Sequence, residues 1–586
     1  MRNRVVAVSD SRGRRRRRWL IALAVIAVVV VWGVIVGLRT LSAYHHDKRG
    51  LAALEQVKAD LSPGELTSAQ STRLLDQAQA EFASAKSDLS SPFFAPITVV
   101  PVIGRQYSAV RDLSSAADTV CQVGSSFISQ VHDLLNQPHS AGPERVTSLR
   151  RLGALSLSAE RQLSAINTGP SQALFSSLAS KHNQFVDQLY DARVRLTKAA
   201  AVSAAVATIL QGPETYLVLA ANNAEMRAGS GAFLDVGVAN TSDGSVNLQA
   251  FEPSGDHTLP PGAVNPTGDF ERNWGWLQPG LDFRNLGLTP RFDVTAPLAA
   301  KMWTSLTGQP VNGVMAIDIA GVKQLMESTG PVVVDGQTIG PDNVEQYLLH
   351  DQYAGLTDSG SAQRLDALGA LTKVVLHQLE SQSTNLRTLG QAVSSAVAGR
   401  NLMMWSSNPV DQAAWLVSGV SGSLTARSVD VSLINRGGNK LDQYVPVQVA
   451  VATTPTGPNT TVTMTTHLSN TTPPGQSQFI AGPFPGVPVN YGGYFGLVGA
   501  NLPAAARHIT MTGAGPLAVE GPDGPIWDVA APLTIPEGAT ATVVVRFQMP
   551  GHHGSMTVVP SARIPAEQWT AHGRTFDDTA PTTITW

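Results

Sequence analysis

Trp19 to Leu38 is a run of twenty residues without a charge, dominated by Val, Ile, Ala and Leu. At ~1.5 Å per helical residue such a run crosses the ~30 Å hydrocarbon core of a bilayer, and in lipid its backbone is satisfied only as a helix. A cleaved signal peptide is the rival reading, but its apolar region usually runs ~7 to 15 residues and ends in a small-residue cleavage site. Gly37-Leu38-Arg39-Thr40 is a poor match to such a site. Eight arginines, Arg2, Arg4, Arg12 and Arg14 to Arg18, precede the run, against Arg39, Lys48, Arg49 and Lys58 in the twenty residues after it. The positive-inside rule therefore makes residues 1–18 a cytoplasmic basic tail and 19–38 a single transmembrane helix of the plasma membrane. Residues 39–586 are expected on the extracytoplasmic side.

Charge agrees with this division. The chain carries −3 overall, but residues 1–39 hold nine Arg against one Asp, or +8, which leaves −11 for the remainder. Nucleic acid is excluded as a partner of the bulk. The single cysteine, Cys121, rules out an internal disulfide and any C-x-x-C site, and its place beside an apolar seam makes it a buried small residue.

Proline usage divides the exterior, with 7 in residues 50–212, 12 in 213–423 and 18 in the remainder. In the first zone Val110, Leu113, Ala117, Val120, Gly124, Phe127, Val131 and Leu134 recur at alternating spacings of three and four, and Leu178, Phe185, Leu189 and Leu196 continue the pattern. Residues 39–212 are thus expected to form a helical bundle or stalk of four or five helices. Breaks fall near Pro63, in Ser91 to Gly104, at Gln137 to Pro143 and at Gly169-Pro170.

Residues 213–423 mix the two periodicities, as in an α/β head domain. Tyr216 to Ala221, Ala232 to Ala239, Val246 to Phe251, Val314 to Ile317 and Val332 to Val334 read as strands, with a turn at Ser242-Asp243-Gly244. Ala320 to Ser328, Asp342 to His350, Ala362 to Ser381 and Pro409 to Gly419 read as helices. Between them lies a Pro/Gly/aromatic insertion, Glu252 to Phe292, with little regular pattern; long segments of this kind are often functional. Residues 424–586 alternate Thr and Val between Pro and Gly, the pattern of a β-sandwich domain. The fold class is multi-domain α+β.

Hydrolase, zinc-protease and nucleotide-binding signatures (G-x-S-x-G, H-E-x-x-H, Gly-Lys) are missing from the sequence. The adjacent pairs His45-His46 and His552-His553 do not converge for a metal. What remains is Asn222 to Arg227 after a buried strand, followed by Gly229-Ser230-Gly231 leading into the next. Glycines there permit close backbone approach and anion binding through N–H groups. A Gly-rich hairpin with Glu225 and Arg227 as a solvated pair is the plainer reading of the same residues.

The run Tyr216 to Phe233, preceded by Val100-Pro-Val-Ile-Gly-Arg105, resembles the bacterial envelope family catalogued as domain of unknown function 4012. Thr289 to Asp293, Val311 to Asp318, Ser328 to Pro331 and Asn435-Arg-Gly-Gly-Asn-Lys-Leu-Asp442 carry the same resemblance. That family has no assigned activity. A fainter resemblance, in the order of strand, Arg-bearing Gly-rich segment, insertion and the run from Gly313 to Val334, is to the LytR-CpsA-Psr glycan transferases. It implies that Arg227 and Arg364 clamp a pyrophosphate, assisted by Arg284 or Arg291, with Asn222 beside them. Asp293 and Asp235 would then face Mg²⁺, and an apolar pocket would hold a lipid tail. The sequence departs from that pattern: Arg227 is followed by Ala-Gly-Ser-Gly rather than an early Asp, and the paired basic positions shrink to Arg364.

Three functions follow. The first is an envelope protein that binds or scaffolds a polyprenyl-phosphate glycan, a cell-wall polymer or envelope protein partners. The second is a Mg²⁺-assisted glycan phosphotransferase. The third is a structural or assembly subunit acting through its helices.

Overall fold

A computed structural model describes residues 11–59, 69–136, 142–334, 336–354, 356, 367–381 and 386–586. The chain forms two compact units, residues 1–134 with 154–200, and residues 135–153 with 201–586.

The first unit is helical. Its helices come from α1 (Ser11–Ala59), α2 (Ala69–Leu89), the single turn α3 (Ala95–Thr98), α4 (Pro101–Leu135), α5 (Pro143–Ser164) and α6 (Ser176–Gln211). α2 returns along the C-terminal half of α1, tied by Arg39–Asp88 at 3.2 Å and Arg49–Glu81 at 3.0 Å. Ala53, Ala78, Phe82, Ala117 and Cys121 close one small core, and Val123, Ala159 and Leu163 another. The seam lies on α4 as its spacing requires, and Ala117, Val131 and Leu134 are buried. Cys121 is fully buried, and burial pushes its thiol up to about 12, so it is inert. α1 contains one stretch long and apolar enough to cross a membrane, and only 6 % of its apolar window is buried; an N-terminal signal sequence meets the same description.

The second unit is layered. A mixed sheet is built from β1 (Glu214–Met226), β2 (Gly231–Ser242), β3 (Ser245–Leu248), β4 (Glu252–Pro253), β5 (Gly313–Asp318) and β8 (Leu402–Ser406), in the order β3-β2-β1-β5-β8, with β4 on β2. Only β1 and β5 run parallel. β6 (Val332–Val334) and β7 (Gln337–Ile339) form a separate hairpin. The β2–β3 turn has positive φ at both Asp243 and Gly244, the two-residue geometry that matches strand twist.

Helices cover both faces. Along the chain they are α7 (Gly268–Trp274), α8 (Phe292–Thr307), α9 (Ile319–Thr329), the short α10 (Val344–Gln346) and α11 (Gln352–Ala354), α12 (Ala367–Ser381), α13 (Leu386–Ala398) and α14 (Pro409–Ser418). Leu217, Leu219 and Phe233 on one face meet Phe270, Trp274 and Phe292 from α7 and α8. Ala220 and Ile317 on the other meet Val322 of α9 and Leu371 of α12.

Two further six-stranded sheets complete the unit. They are built from β9 (Ser428–Asn435), β10 (Val447–Thr456), β11 (Asn459–Ser469), β12 (Tyr494–Pro503), β13 (Arg507–Thr512), β14 (Val519–Asp523), β15 (Ile526–Ile535), β16 (Thr540–Pro550), β17 (Ser555–Val558), β18 (Gln568–Ala571), β19 (Arg574–Asp577) and β20 (Thr582–Thr585). Their orders are β13-β16-β11-β10-β18-β19 and β14-β15-β12-β9-β17-β20, and both contribute to one core. β10 and β11 alternate buried and accessible residues, as a sheet wetted on one side does, whereas all of β9 is buried. The second cover over β9 and β12 is the aromatic insertion: Ile434 and Leu497 share a core with Trp274, Phe283 and Leu286. The segment that read as an irregular functional loop is therefore an interlayer, and its lack of periodicity follows from packing on two sheets at once.

Candidate functional site

β1 is the central strand, and its polar end, Asn222 to Met226, is as buried as its apolar start. Buried polar groups need partners. Asn222 donates to Tyr353 Oη at 2.7 Å and accepts from Ala224 N. Asn223 donates to Asp318 Oδ2 at 3.0 Å and to Ala562 O at 2.6 Å, and accepts from Ile319 N. Asp318 caps α9 by accepting from Gly321 N, and Asn401 donates to it as well. Burial raises the Asp318 carboxyl to about 6, with the bonds from Asn223 and Asn401 opposing.

Glu225 bridges two cations, Lys440 Nζ at 2.6 Å and Arg227 Nη2 at 3.2 Å. Burial alone would raise it, but the charges of Lys440 and Arg227 override and hold it at about 2. Arg227 is held from within: Nε donates to Arg284 O, and Nη1 donates to Met226 O and Asn435 O. Asp442 accepts from Met226 N at 2.9 Å and from Asn435 Nδ2 at 2.8 Å, and Arg563 Nη1 lies 3.1 Å from its other oxygen. The two motifs Asn222–Arg227 and Asn435–Asp442 thus interlock, each closing the end of a buried strand, β1 and β9. The solvated Glu225–Arg227 pair of the plainer reading is instead a buried one.

The glycines serve approach rather than anion capture. A Cβ on Gly231 would sit 2.1 Å from Asn222 O, and the N–H groups of Arg227 and Gly229 donate to Ser230 O and Gly287 O.

The other predicted residues are placed apart. Arg284 meets Arg227 only through its carbonyl, while its guanidinium grips Asp282. Arg291 bridges Asp293 and Asp523, each at 3.0 Å. Asp235 lies opposite Ala220 on β2 and faces α12, where a Cβ on Gly369 would meet its Cβ at 3.4 Å. Asp293 opens α8 on the opposite face of the sheet, so the two carboxylates are not brought together. Arg364 lies outside the described residues.

Mg²⁺ demands a near-octahedral oxygen shell. Asp293 has one oxygen engaged by Arg291, and among the described residues no group of three His, Cys, Asp or Glu side chains could hold a metal ion. These residues do not fit the ion.

Sequence reasoning missed Tyr353, Lys440, Asp442 and Arg563 as members of the network. The available signal was the second polar and Gly-rich run, 435–442, closing a second strongly apolar strand. It also missed a cavity of about 330 Å³ between the C-terminal end of α6, β3, α12 and α13. Leu149, Val206, Leu210, Val246, Leu376 and Leu389 line it. Lys373 and His377, one turn apart on α12, lie at its exposed edge, and Arg145 pairs with Glu380 across it at 2.6 Å.

No curated protein matches the chain, and the likeness to the LytR-CpsA-Psr transferases finds no support among the comparisons. Residues 211–353, from the last turn of α6 through β1, β2 and β5 to the Tyr353 that Asn222 contacts, match the family model described as a protein of unknown function, DUF4012.

Proposed function

We propose that the protein is a single-pass envelope protein, cytoplasmic at its N-terminus and anchored by residues 19–38, that binds a polyprenyl-phosphate-linked glycan or a similar amphiphile without turning it over. The cavity carries this reading. At about 330 Å³ it lies within the range of small-molecule pockets and is roughly twice the ~150 Å³ apolar cavity that suffices for benzene. Its apolar wall suits a hydrocarbon chain, and Lys373 and His377 at the rim suit an anionic head.

The phosphotransfer reading has no observation in its favour. Arg227 spends its donors on protein carbonyls and Glu225, and Asp235 and Asp293 lie on opposite sheet faces. The test uses full-length protein in nanodiscs with a photoactivatable polyprenyl phosphate. Crosslinks should map to 206–210 and 373–380, fall on Leu376→Trp, which fills the cavity, and weaken on Lys373→Glu. Crosslinks elsewhere, or unchanged by both variants, would refute the reading.

A further inference from the structure

Ser91 to Gly104, Ser-Pro-Phe-Phe-Ala-Pro-Ile-Thr-Val-Val-Pro-Val-Ile-Gly, contains no charged residue and connects α2 to α4. Proline at 92, 96 and 101 divides it into a 3₁₀ turn, Pro92–Phe94, the turn α3 and the start of α4. Five of its large apolar side chains face outward: Phe93 (46 %), Val99 (79 %), Val100 (41 %), Val102 (58 %) and Ile103 (57 %). A contiguous patch of this kind on a folded protein marks a contact surface.

Its position identifies the partner. α1 and α2 are antiparallel, and Arg39–Asp88 is the last ion pair before both chains become apolar. Beyond that pair the two segments stay together: Trp32 Nε1 donates to Phe93 O at 2.7 Å, and Ala27, Val28, Val31, Trp32, Ile35 and Phe93 line a shared groove. Trp32 lies seven residues before Arg39, or ~10 Å along the helix, so the tip sits well below that pair and short of the midplane of a ~30 Å core. The exposed Val31 and Val34 of α1 lie at about the same level, and the exposed Val28, Val29 and Val30 up to one turn deeper.

The backbone suits such a place. Irregular chain in lipid must satisfy its own polar groups. The three prolines remove three N–H donors outright. Phe94 N donates to Ser91 O, Val100 N to Ile97 O and Gly104 N to Val100 O, while Phe93 O accepts from Trp32. Tyr107 stacks on Phe94 and donates to Leu89 O, placing an aromatic hydroxyl at the base of the tip, and charge returns at Arg105.

We infer that Ser91–Gly104 dips into the outer leaflet beside α1 as a second membrane contact, a wedge that fixes the helical unit against the bilayer. This rests on reading α1 as the anchor. The test is depth-dependent quenching of an environment-sensitive fluorophore on full-length protein in phosphatidylglycerol/phosphatidylethanolamine vesicles. With Cys121→Ser as background, the label goes on Val34→Cys for the anchor, Val99→Cys and Ile103→Cys for the tip, and Tyr190→Cys as the aqueous reference. Shallow spin-labelled lipid should quench positions 99 and 103 as it quenches 34, with no loss of signal at 190. Quenching at 34 but not at 99 or 103 overturns the inference and leaves the anchor standing. No quenching at 34 overturns the anchor reading itself, and this inference with it.

Discussion

If Arg227 holds the molecule together rather than a ligand, Arg227→Met should be costly in the absence of any ligand. Met keeps an apolar stem of similar length, so the loss is the guanidinium. Three carbonyls, Arg284 O, Met226 O and Asn435 O, lose their donor, and Glu225 is left with Lys440 alone. At ~1 kcal/mol for each of the four bonds the loss is about 4 kcal/mol. That agrees with the ~3 to 5 kcal/mol typical of removing one partner from a buried charged pair. With a urea m-value of ~3 kcal/mol/M or more, the midpoint should fall by up to ~1.3 M. Fluorescence of the fully buried Trp274, Trp415 and Trp569 follows unfolding of the sheet-bearing unit. Hydrogen exchange should speed locally in peptides covering 214–231 and 428–445. Arg227→Lys should recover little, since an ammonium cannot reproduce the planar fork that reaches three carbonyls. An unchanged midpoint together with lost amphiphile binding would show the opposite, a guanidinium free for ligand, and would refute the reasoning.

Three further outcomes follow from the same geometry. Burial raises Asp430 to about 6, so its ionisation opposes folding; stability from this group is full below the unfolded value near 3.8 and is lost as pH rises through about 6. Denaturation midpoints between pH 4.5 and 7 should therefore fall as pH rises, and Asp430→Asn should flatten that slope. Glu225, held at about 2, has the reverse sign: its contribution is present above 4.5 and lost as pH falls toward 2, so Glu225→Gln should blunt acid unfolding below pH 4. Gly231→Ala forces a methyl to 2.1 Å from Asn222 O between two central strands, and should abolish soluble expression of the folded unit while Gly390→Ala, where a Cβ meets nothing within 4 Å, leaves yield largely intact.

The sequence made legible what depends on neighbours along the chain. The apolar run, the seam through Ala117, Val131 and Leu134, and the cores of β1, β2 and β5 all follow from local period. The turn at Asp243-Gly244 followed from residue types that tolerate positive φ. Not legible was why β1 continues through Asn-Asn-Ala-Glu-Met. Three polar residues in five read as a loop, and their partners Asp318, Tyr353, Lys440 and Ala562 lie 95 to 339 residues away. The aromatic insertion was opaque for a related reason. Packed between two sheets, it has no single face and so no period to detect.

These two failures have one physical origin, and it bears on function. Residues that looked like chemistry, an Arg, a Glu and paired Asn beside glycines, are held at strand ends where the layers of one unit meet. A buried strand end must supply what a ladder or water would otherwise give. Charges recruited for that purpose mimic an active site in composition but not in availability, since Glu225 is taken up by Lys440 and Arg227, and the Arg227 guanidinium also by three backbone carbonyls. The cavity beside α12 presents the converse: ordinary Leu and Val, with no motif, leave a space that nothing in the described chain fills. On the proposed reading, the ligand sits where room remains, beside Lys373 and His377, rather than among the charges that close the strand ends.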